Sequence, residues 1–229
     1  NKKKFWINMI NSELKKRVFT SILLLSLLSA MYLYPFVMIL AVIIIAILVW
    51  IEFYALISKI IKKNKFNDKL LRFFYKAISL LYLLLFVYLV LMIVSHNPDL
   101  KLYLLYSVLI SILTDIGGFV IGKTFKGKKL TKISPNKTFS GSIGSFMFSL
   151  LLVPIFYDTL IKHNFLTLII ITITISLISQ IGDLFISYLK RKAKVKNTSD
   201  ILPGHGGFLD RVDGIIFAMP IGILLFSLF

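Results

Sequence analysis

Residues Phe165 to Leu189 read FLTLIIITITISLISQIGDLFISYL and include a single charged side chain, that of Asp183. A run of about 20 apolar residues is long enough for a helix to cross the hydrocarbon core of a bilayer. The rest of the chain has the same character, because 58% of its 229 residues are hydrophobic and its mean hydropathy is +0.88. We therefore predict an integral membrane protein in which residues 165–189 form one span.

Further apolar runs lie on both sides of this stretch and predict an all-α, polytopic membrane protein. The seven predicted spans are 18–34, 36–58, 73–95, 102–122, 141–157, 165–189 and 214–229. Pro35 predicts a tight turn between the first two. The chain begins at Asn1 rather than Met, so we expect its natural start to lie upstream, and we interpret 18–34 as a retained span because no small-residue cleavage site follows it. We expect one domain over residues 1–229, with its motifs concentrated in 110–215.

The charges predict the orientation of the spans. With the N-terminus in the cytoplasm, 25 of the 27 Lys and Arg residues fall in cytoplasmic segments, and only Lys101 and Lys162 lie outside. The C-terminus is then external, and the loops 122–140 and 190–213 are cytoplasmic. The net charge of +17 is confined to loops, which favours anionic headgroups or phosphorylated substrates over nucleic acid. The absence of cysteine excludes disulfides, thiolate metal sites and cysteine nucleophiles.

Three acidic residues lie inside predicted spans, where a charge is costly and usually functional. We predict that Glu52, Asp115 and Asp183 face one interior cavity open to the cytoplasm. Two structural alternatives stay open. Glu52 lies about two turns before Lys59 and can reach towards interfacial lysines. Asp115 precedes a Gly-Gly pair, which is typical of close helix packing or of a bent helix.

Asp183 also belongs to a polar stripe on its own span. Gln180, Asp183, Ser187 and Lys190 recur at steps of three and four residues, which places them on one helix face. A polar stripe on a membrane helix indicates a lined cavity or a helix contact, and we favour the cavity.

A basic loop precedes the span at 141–157 and ends in a run of hydroxyl and small residues. Ser134, Lys137 and Thr138 lie where a helix begins, and the free N–H groups of a helix N-terminus suit an anionic phosphate. The alternative is a positively charged cytoplasmic loop with a helix cap. The Gly-x4-Gly-Lys-Ser/Thr pattern of a nucleotide-binding P-loop is absent.

The loop before the last span concentrates further charged groups beside two glycines, Gly206 and Gly207. Asp210 and Asp213 flank Arg211, and with Asp183 they form a carboxylate set able to bind Mg²⁺, which needs only one or two protein carboxylates plus substrate phosphates. The alternative for these acids is Asp–Arg pairing and helix capping. His205 is a ligand contact, a general base or a turn histidine.

These segments together resemble the phosphatidate cytidylyltransferase (CDP-diacylglycerol synthase) family. The family's C-terminal signature is matched in order and spacing by Ser187, Lys190, Arg191, Lys196, Pro203, His205, Gly206, Gly207, Asp210, Arg211 and Asp213. Its upstream patterns are matched by Asp115, Gly117, Gly118, Phe119, Gly122, Lys123, Ile133, Ser134, Pro135, Lys137, Thr138, Gly182 and Asp183. Two positions depart from the family pattern: Asn197 stands where Asp is usual, and Ser199 where Gly is frequent.

The resemblance implies transfer of the cytidylyl group of CTP to phosphatidate, giving CDP-diacylglycerol and pyrophosphate. It implies Mg²⁺ as cofactor, with room for a second monovalent or divalent cation, a homodimer, and a place in the bacterial inner membrane. The metal would be held by Asp183, Asp210 and Asp213. The catalytic set would be Asp183, Asp210, Lys190, Arg191, Arg211 and His205. The substrate-binding set would be Asp115, Ser134, Lys137, Thr138, Ser187, Gly206 and Gly207.

Two other functions remain to be weighed against this one. A membrane carrier can also contain a polar cavity with buried acids, but carriers are typically built from paired halves, and the chain shows no internal repeat. A cytidylyltransferase for a polyprenyl or other lipid phosphate would share every motif, because acyl-chain selectivity would lie in featureless apolar spans.

Overall fold

A computed structural model describes residues 2–62, 65–96, 98–131, 134, 137–160, 164–202 and 206–228. Within these ranges the chain is built from helices, with two isolated β-bridges and no strand. The helices are α1 (Lys2–Leu33), α2 (Pro35–Ile60), α3 (Phe66–His96), α4 (Pro98–Phe125), α5 (Phe139–Leu150), α6 (Leu152–Phe156), α7 (Phe165–Lys192) and α8 (Leu209–Leu228). The predicted all-α membrane fold is confirmed.

Six helical segments of the described chain are long and apolar enough to cross a membrane. They are Pro35–Ile60, Phe66–Met92, Lys101–Phe125, Phe139–Phe156, Phe165–Lys192 and Leu209–Leu228. The predicted span at 18–34 is the apolar part of α1, Val18–Leu33, and it is shorter than the other six. The predicted number of seven spans is therefore close, and the difference lies in a helix whose first half is rich in Lys and Arg.

The chain divides into two compact units. The first comprises residues 1–91 and 192–211, which include α1, α2, most of α3 and the loop after α7. The predicted turn at Pro35 is present, because Tyr34 has extended backbone angles and α2 begins at Pro35 itself. Proline suits the first position of a helix, where its missing N–H has no partner to lose.

The second unit comprises residues 92–191 and 212–229 and contains a close contact between α4 and α5. A side chain added at Gly117 would collide with the Gly144 carbonyl and the Phe148 side chain, and one added at Gly144 would collide with Ile121. Small residues let two membrane helices approach backbone to backbone. The alternative that the Gly-Gly pair after Asp115 serves helix packing is thus confirmed.

Polar side chains link α4 to α7 inside the second unit. The hydroxyls of Tyr106 and Thr172 are 2.7 Å apart, and those of Thr114 and Ser176 are 2.8 Å apart. All four side chains are buried, so each hydroxyl gains the partner that a bilayer cannot supply. These two bonds hold α4 and α7 together at two levels and thereby fix the spacing of the polar residues further along both helices.

Candidate active site

A cavity of about 340 Å³ lies among α4, α5 and α7 of the second unit. Its walls are apolar in part, but most of the side chains that line it are polar or charged. The polar and charged lining residues are Thr114, Asp115, Ser134, Lys137, Thr138, Ser142, Ser145, Gln180, Asp183 and Ser187. Six residues predicted from the sequence to bind substrate or metal therefore meet at one cavity: Asp115, Ser134, Lys137, Thr138, Asp183 and Ser187.

The polar stripe on α7 explains one wall of this cavity. Gln180, Asp183 and Ser187 all line it, as expected for residues at steps of three and four on one helix face. The Ser187 hydroxyl donates to Asp183 Oδ1 over 3.3 Å. The prediction that this stripe marks a cavity is confirmed for these three residues, whereas Lys190, the fourth, is not among the lining residues.

The side chain of Lys137 places a positive charge in this cavity, beside Asp183. Its ammonium group forms an ion pair with Asp183 Oδ2, and both side chains are about one-quarter exposed. The segment before α5 carries Lys137, while Asp183 lies on α7, so the pair joins two separate elements of the unit. Because the pair lies in a partly closed, low-dielectric setting, its attraction is stronger than that of a surface pair.

A second carboxyl group adjoins this pair. Asp213 on α8 is 6% exposed and close enough to Asp183 for a hydrogen bond between their side chains, and the charges of Lys190 and Asp115 also act on it. The N–H of Gly214 donates to Asp213 Oδ1 over 3.0 Å. α7 and α8 can come this close because Gly182 has no side chain. One added there would collide with Phe217 and with the carbonyl of Asp213. Two carboxyl groups in contact form a natural position for a cation.

The beginning of α5 forms another wall. Thr138 is the N-cap residue, and its hydroxyl accepts a hydrogen bond from the N–H of Gly141 over 3.1 Å. The helix-cap alternative for this residue is thus confirmed. Thr138 also lines the cavity, so the positive end of the α5 dipole faces the same space as Lys137.

Sequence reasoning placed Gln180 on the polar stripe but did not include it among the site residues. Its Oε1 accepts a hydrogen bond from the Ser142 hydroxyl over 2.6 Å, which fixes the amide between α5 and α7. Its Nε2 is buried with no hydrogen-bond partner in the described structure. An amide donor beside a cavity is suited to an oxygen-rich ligand, and the position of Gln180 on the stripe was the signal that could have identified it.

Asp210 belongs to the first unit, in the first turn of α8. Its Oδ2 accepts hydrogen bonds from the N–H of Thr198 over 2.8 Å, the hydroxyl of Thr198 over 3.0 Å and the N–H of Gly207 over 3.0 Å. Asp210 therefore binds donors of the loop that precedes α8, and the helix-capping alternative for this acid stays open. Its role as a metal ligand stays a prediction.

Gly206 and Gly207 form the turn that leads into α8. Gly206 has a φ of +84°, a conformation that favours glycine. A side chain at Gly207 would collide with the Thr198 hydroxyl and with the carboxylate of Glu52. Both glycines were predicted to bind substrate, and the structure shows in addition that the turn itself requires them.

Glu52 lies in the first unit, so its predicted place at one cavity with Asp115 and Asp183 of the second unit stays a prediction. Glu52 is buried, but its carboxylate accepts hydrogen bonds from the loop of the first unit and is not part of the cavity lining. The loop provides four hydrogen-bond donors, and these bonds offset the cost of burying the carboxylate.

The remaining predicted residues lie at the ends of α7 and α8. Lys190 is half-buried near the end of α7, whereas Arg191 and Arg211 are exposed. His205 lies outside the described residues. Within the described ranges, no three His, Cys, Asp or Glu side chains form a cluster that could hold a metal ion. A metal in the second unit would therefore rest on the carboxyl pair of Asp183 and Asp213 and on oxygens supplied by a ligand.

Comparison with known proteins points to one family. The chain is 40% identical over 129 residues to the phosphatidate cytidylyltransferase of Bacillus subtilis (strain 168), which covers 56% of this chain and 48% of that protein. It is 43% identical over 132 residues to that of Staphylococcus haemolyticus (strain JCSC1435), covering 55% and 50%. The match to that of Rickettsia bellii (strain RML369-C) is 41% over 139 residues, covering 57% and 60%.

These matches span about half the length of the curated relatives, so they describe a shared portion and not the whole of each protein. The model of the cytidylyltransferase family, in contrast, matches residues 5–229, nearly the entire chain. The cavity residues and the motif residues lie inside that match. The chain therefore belongs to the cytidylyltransferase family.

Proposed function

We propose that this chain transfers the cytidylyl group of CTP to phosphatidate, forming CDP-diacylglycerol and releasing pyrophosphate. The observation that carries the proposal is the Lys137–Asp183 ion pair in contact with Asp213 at a cavity among membrane-length helices. This combination offers a cation and carboxyl groups at the point where a membrane lipid and a water-soluble nucleotide can meet. The names of the matching relatives support the same reaction.

The reaction needs no nucleophile from the protein. A phosphate oxygen of the lipid attacks the α-phosphorus of CTP, and the bond between that phosphorus and the bridging oxygen of pyrophosphate breaks. Two polyanions must approach each other, so the protein contributes mainly by positioning them and offsetting their repulsion. Lys137 and the N-terminus of α5 are the groups in the cavity suited to a phosphate. Lys190, Arg191 and Arg211 would hold further phosphate oxygens.

The remaining predicted residues would orient the substrates. Ser134, Thr138 and Ser187 line the cavity with hydroxyl groups, which can donate to phosphate or ribose oxygens. Asp115 lines the same cavity and can accept from a substrate hydroxyl or amine. Gly206, Gly207 and His205 would contribute from the loop before α8. Asp210 would add a carboxylate at the beginning of that helix.

Mg²⁺ is the cofactor that we propose, and the donor set fits it. Mg²⁺ keeps several waters and binds through one or two carboxylates plus phosphate oxygens. The Asp183–Asp213 pair can provide the carboxylates, and the substrates would provide the phosphate oxygens. When bound, Mg²⁺ would neutralise charge on the phosphates and on the leaving pyrophosphate. A second monovalent or divalent cation and a homodimer also form part of the proposal. We also propose localisation in a bacterial inner membrane, and the distribution of Lys and Arg supports a cytoplasmic N-terminus and cytoplasmic site loops.

The proposal is tested by Asp183→Asn, which keeps the shape of the side chain and removes its charge. We expect product formation from CTP and phosphatidate to fall on the order of 10²-fold, because the carboxyl pair and the Lys137 contact are both lost. Asp158→Asn is the matched control, since Asp158 is exposed in the turn after α6. A polyprenyl phosphate is assayed in parallel as acceptor. Unchanged turnover in Asp183→Asn, or cytidylyl transfer only to the polyprenyl phosphate, would contradict the proposal.

A further inference from the structure

Glu52 has a more extensive set of hydrogen bonds than any role predicted for it requires. It lies in the second half of α2 and is 2% exposed. Its Oε1 accepts from the Ser199 hydroxyl over 2.6 Å and from the N–H of Phe208 over 3.0 Å. Its Oε2 accepts from the Thr198 hydroxyl over 2.7 Å and from the N–H of Leu209 over 2.9 Å. Each carboxylate oxygen thus has two donors.

These donors come from two segments of the loop that residues 203–205 separate in sequence. Thr198 and Ser199 lie shortly after α7, whereas Phe208 and Leu209 mark the beginning of α8. The backbone N–H groups at a helix beginning have no partner within the helix, and a negative charge beside them is favourable. Glu52 therefore acts as the N-terminal cap of α8 from a helix about 150 positions earlier in the chain.

The carboxylate lies close against the backbone of Gly207. A side chain at Gly207 would collide with both the Glu52 carboxylate and the Thr198 hydroxyl. The glycine at this position therefore allows the loop backbone to close over the carboxylate. The contact depends on a glycine at this position, because any residue with a side chain in the place of Gly207 would collide with the carboxylate.

Thr198 connects Glu52 to Asp210. Its hydroxyl is 2.7 Å from Glu52 Oε2 and 3.0 Å from Asp210 Oδ2, and its N–H also donates to Asp210 Oδ2 over 2.8 Å. One hydroxyl proton therefore lies between two carboxylates. The position of Asp210 depends on Thr198, and the position of Thr198 depends on Glu52.

We propose that Glu52 is a positioning residue that, with Thr198, holds the loop segments 198–199 and 207–209 and the side chain of Asp210 in the arrangement needed for turnover. This inference rests on the proposed function for its kinetic part, but the anchoring of the loop does not depend on it. Glu52 touches neither substrate in this account and acts through the loop alone. The same arrangement explains why an acidic residue is present in an apolar span, where it would otherwise be costly.

Hydrogen exchange tests the anchor directly. In Glu52→Gln, the amide nitrogen cannot accept hydrogen bonds, so two of the four loop donors lose their acceptor. We expect the amides of the peptide that covers residues 206–212 to exchange at least about 10-fold faster, with no change in peptides from α4 and α5. Asp200→Asn is the matched control, because Asp200 is an exposed acid in the same loop. Wild-type exchange in Glu52→Gln would overturn the anchor.

Kinetics of a paired substitution at Thr198 separate positioning from simple loss of structure. Thr198→Val keeps the shape of the side chain and removes the hydroxyl, whereas Thr198→Ser restores the hydroxyl. We expect kcat to fall about 10-fold in Thr198→Val with little change in KM for CTP, and to recover in Thr198→Ser. Equal turnover in all three proteins, or equal loss in both variants, would overturn the positioning role.

The two proposals can fail separately. If the wild-type protein transfers no cytidylyl group to any lipid phosphate, the proposed function fails, and the exchange comparison still decides whether Glu52 anchors the loop. If the wild type is active and Glu52→Gln is equally active, the proposed function stands and the positioning role of Glu52 is overturned.

Discussion

At the scale of single residues, the contact between Lys137, Asp183 and Asp213 is the chemical centre of the second unit. Asp183 is paired with the Lys137 ammonium and lies beside the Asp213 carboxyl group. A buried or half-buried charge is costly unless a partner of opposite charge or a set of hydrogen bonds offsets its lost hydration. A substrate phosphate would compete with Asp183 for Lys137, and a metal ion would compete with Lys137 for Asp183. The pair is therefore suited to exchange partners when ligands enter.

Lys137→Met tests this role of the cation. The substitution keeps the apolar stem and removes the charge, so the carboxyl pair loses its counter-ion and the phosphate its predicted partner. We expect kcat/KM for CTP to fall on the order of 10²-fold. Lys128→Met is the control, because Lys128 is an exposed lysine of the same basic segment. If both variants lose activity equally, the effect belongs to the overall charge of the segment and not to Lys137.

Much of the cavity lining could be predicted from the sequence because its residues repeat at helical spacing or lie next to a helix beginning. Asp183 and Ser187 share a face of α7, and Thr138 caps α5. The partners of Glu52 could not be predicted in this way. Thr198 and Ser199 are separated from Glu52 by nearly 150 positions, and no local pattern indicates which distant carboxylate a loop hydroxyl will meet.

At the scale of helices, the contact between α4 and α5 determines the shape of the cavity. Gly117 and Gly118 face Gly144 and Ser145 at distances that exclude a side chain. Ser145 also donates to the backbone carbonyl of Thr114 over 2.7 Å, which adds a polar bond to the packing. Asp115 and Thr138, at the edges of this contact, line the cavity. The sequence predicted this packing from the Gly-Gly pair, but not which helix would pack there.

Gly144→Val tests the contact between the two helices. Its side chain would collide with Ile121 and with the carbonyl of Gly117, so α4 and α5 must separate. We expect the variant to lose about 1–3 kcal/mol of stability and to show a lower Tm in detergent. Ile143→Val is the control, because Ile143 is 60% exposed on the neighbouring position of α5. A Tm equal to that of the wild type would show that the helices are not closely packed at this point.

At the scale of the whole molecule, the distribution of charge predicts the orientation in the membrane. The membrane-length helices were predictable because apolar runs of this length have few alternatives to crossing a bilayer. The first predicted span is shorter than the six membrane-length segments. Only the second half of α1 is apolar, and its first half carries Lys and Arg. The division into two units could not be predicted, since it depends on contacts between distant segments.

Labelling of single cysteines tests the orientation, and the chain is suited to it because it contains no cysteine. We expect Asp158→Cys to react with a membrane-impermeant maleimide in intact cells. Lys128→Cys should react only after the membrane is permeabilised, since 25 of the 27 Lys and Arg residues assign its loop to the cytoplasm. Both side chains are exposed in the structure, so access within the protein does not limit the reaction. The reverse pattern would show that the chain is inserted with the opposite orientation.

The most direct test of the account is the conversion of phosphatidate and labelled CTP by the purified protein in detergent or nanodiscs. The account predicts CDP-diacylglycerol and pyrophosphate in equal amounts when Mg²⁺ is present, and no product when a chelator removes it. The absence of product from folded protein with phosphatidate and Mg²⁺ would contradict the central claim, as would product formation that is insensitive to the chelator.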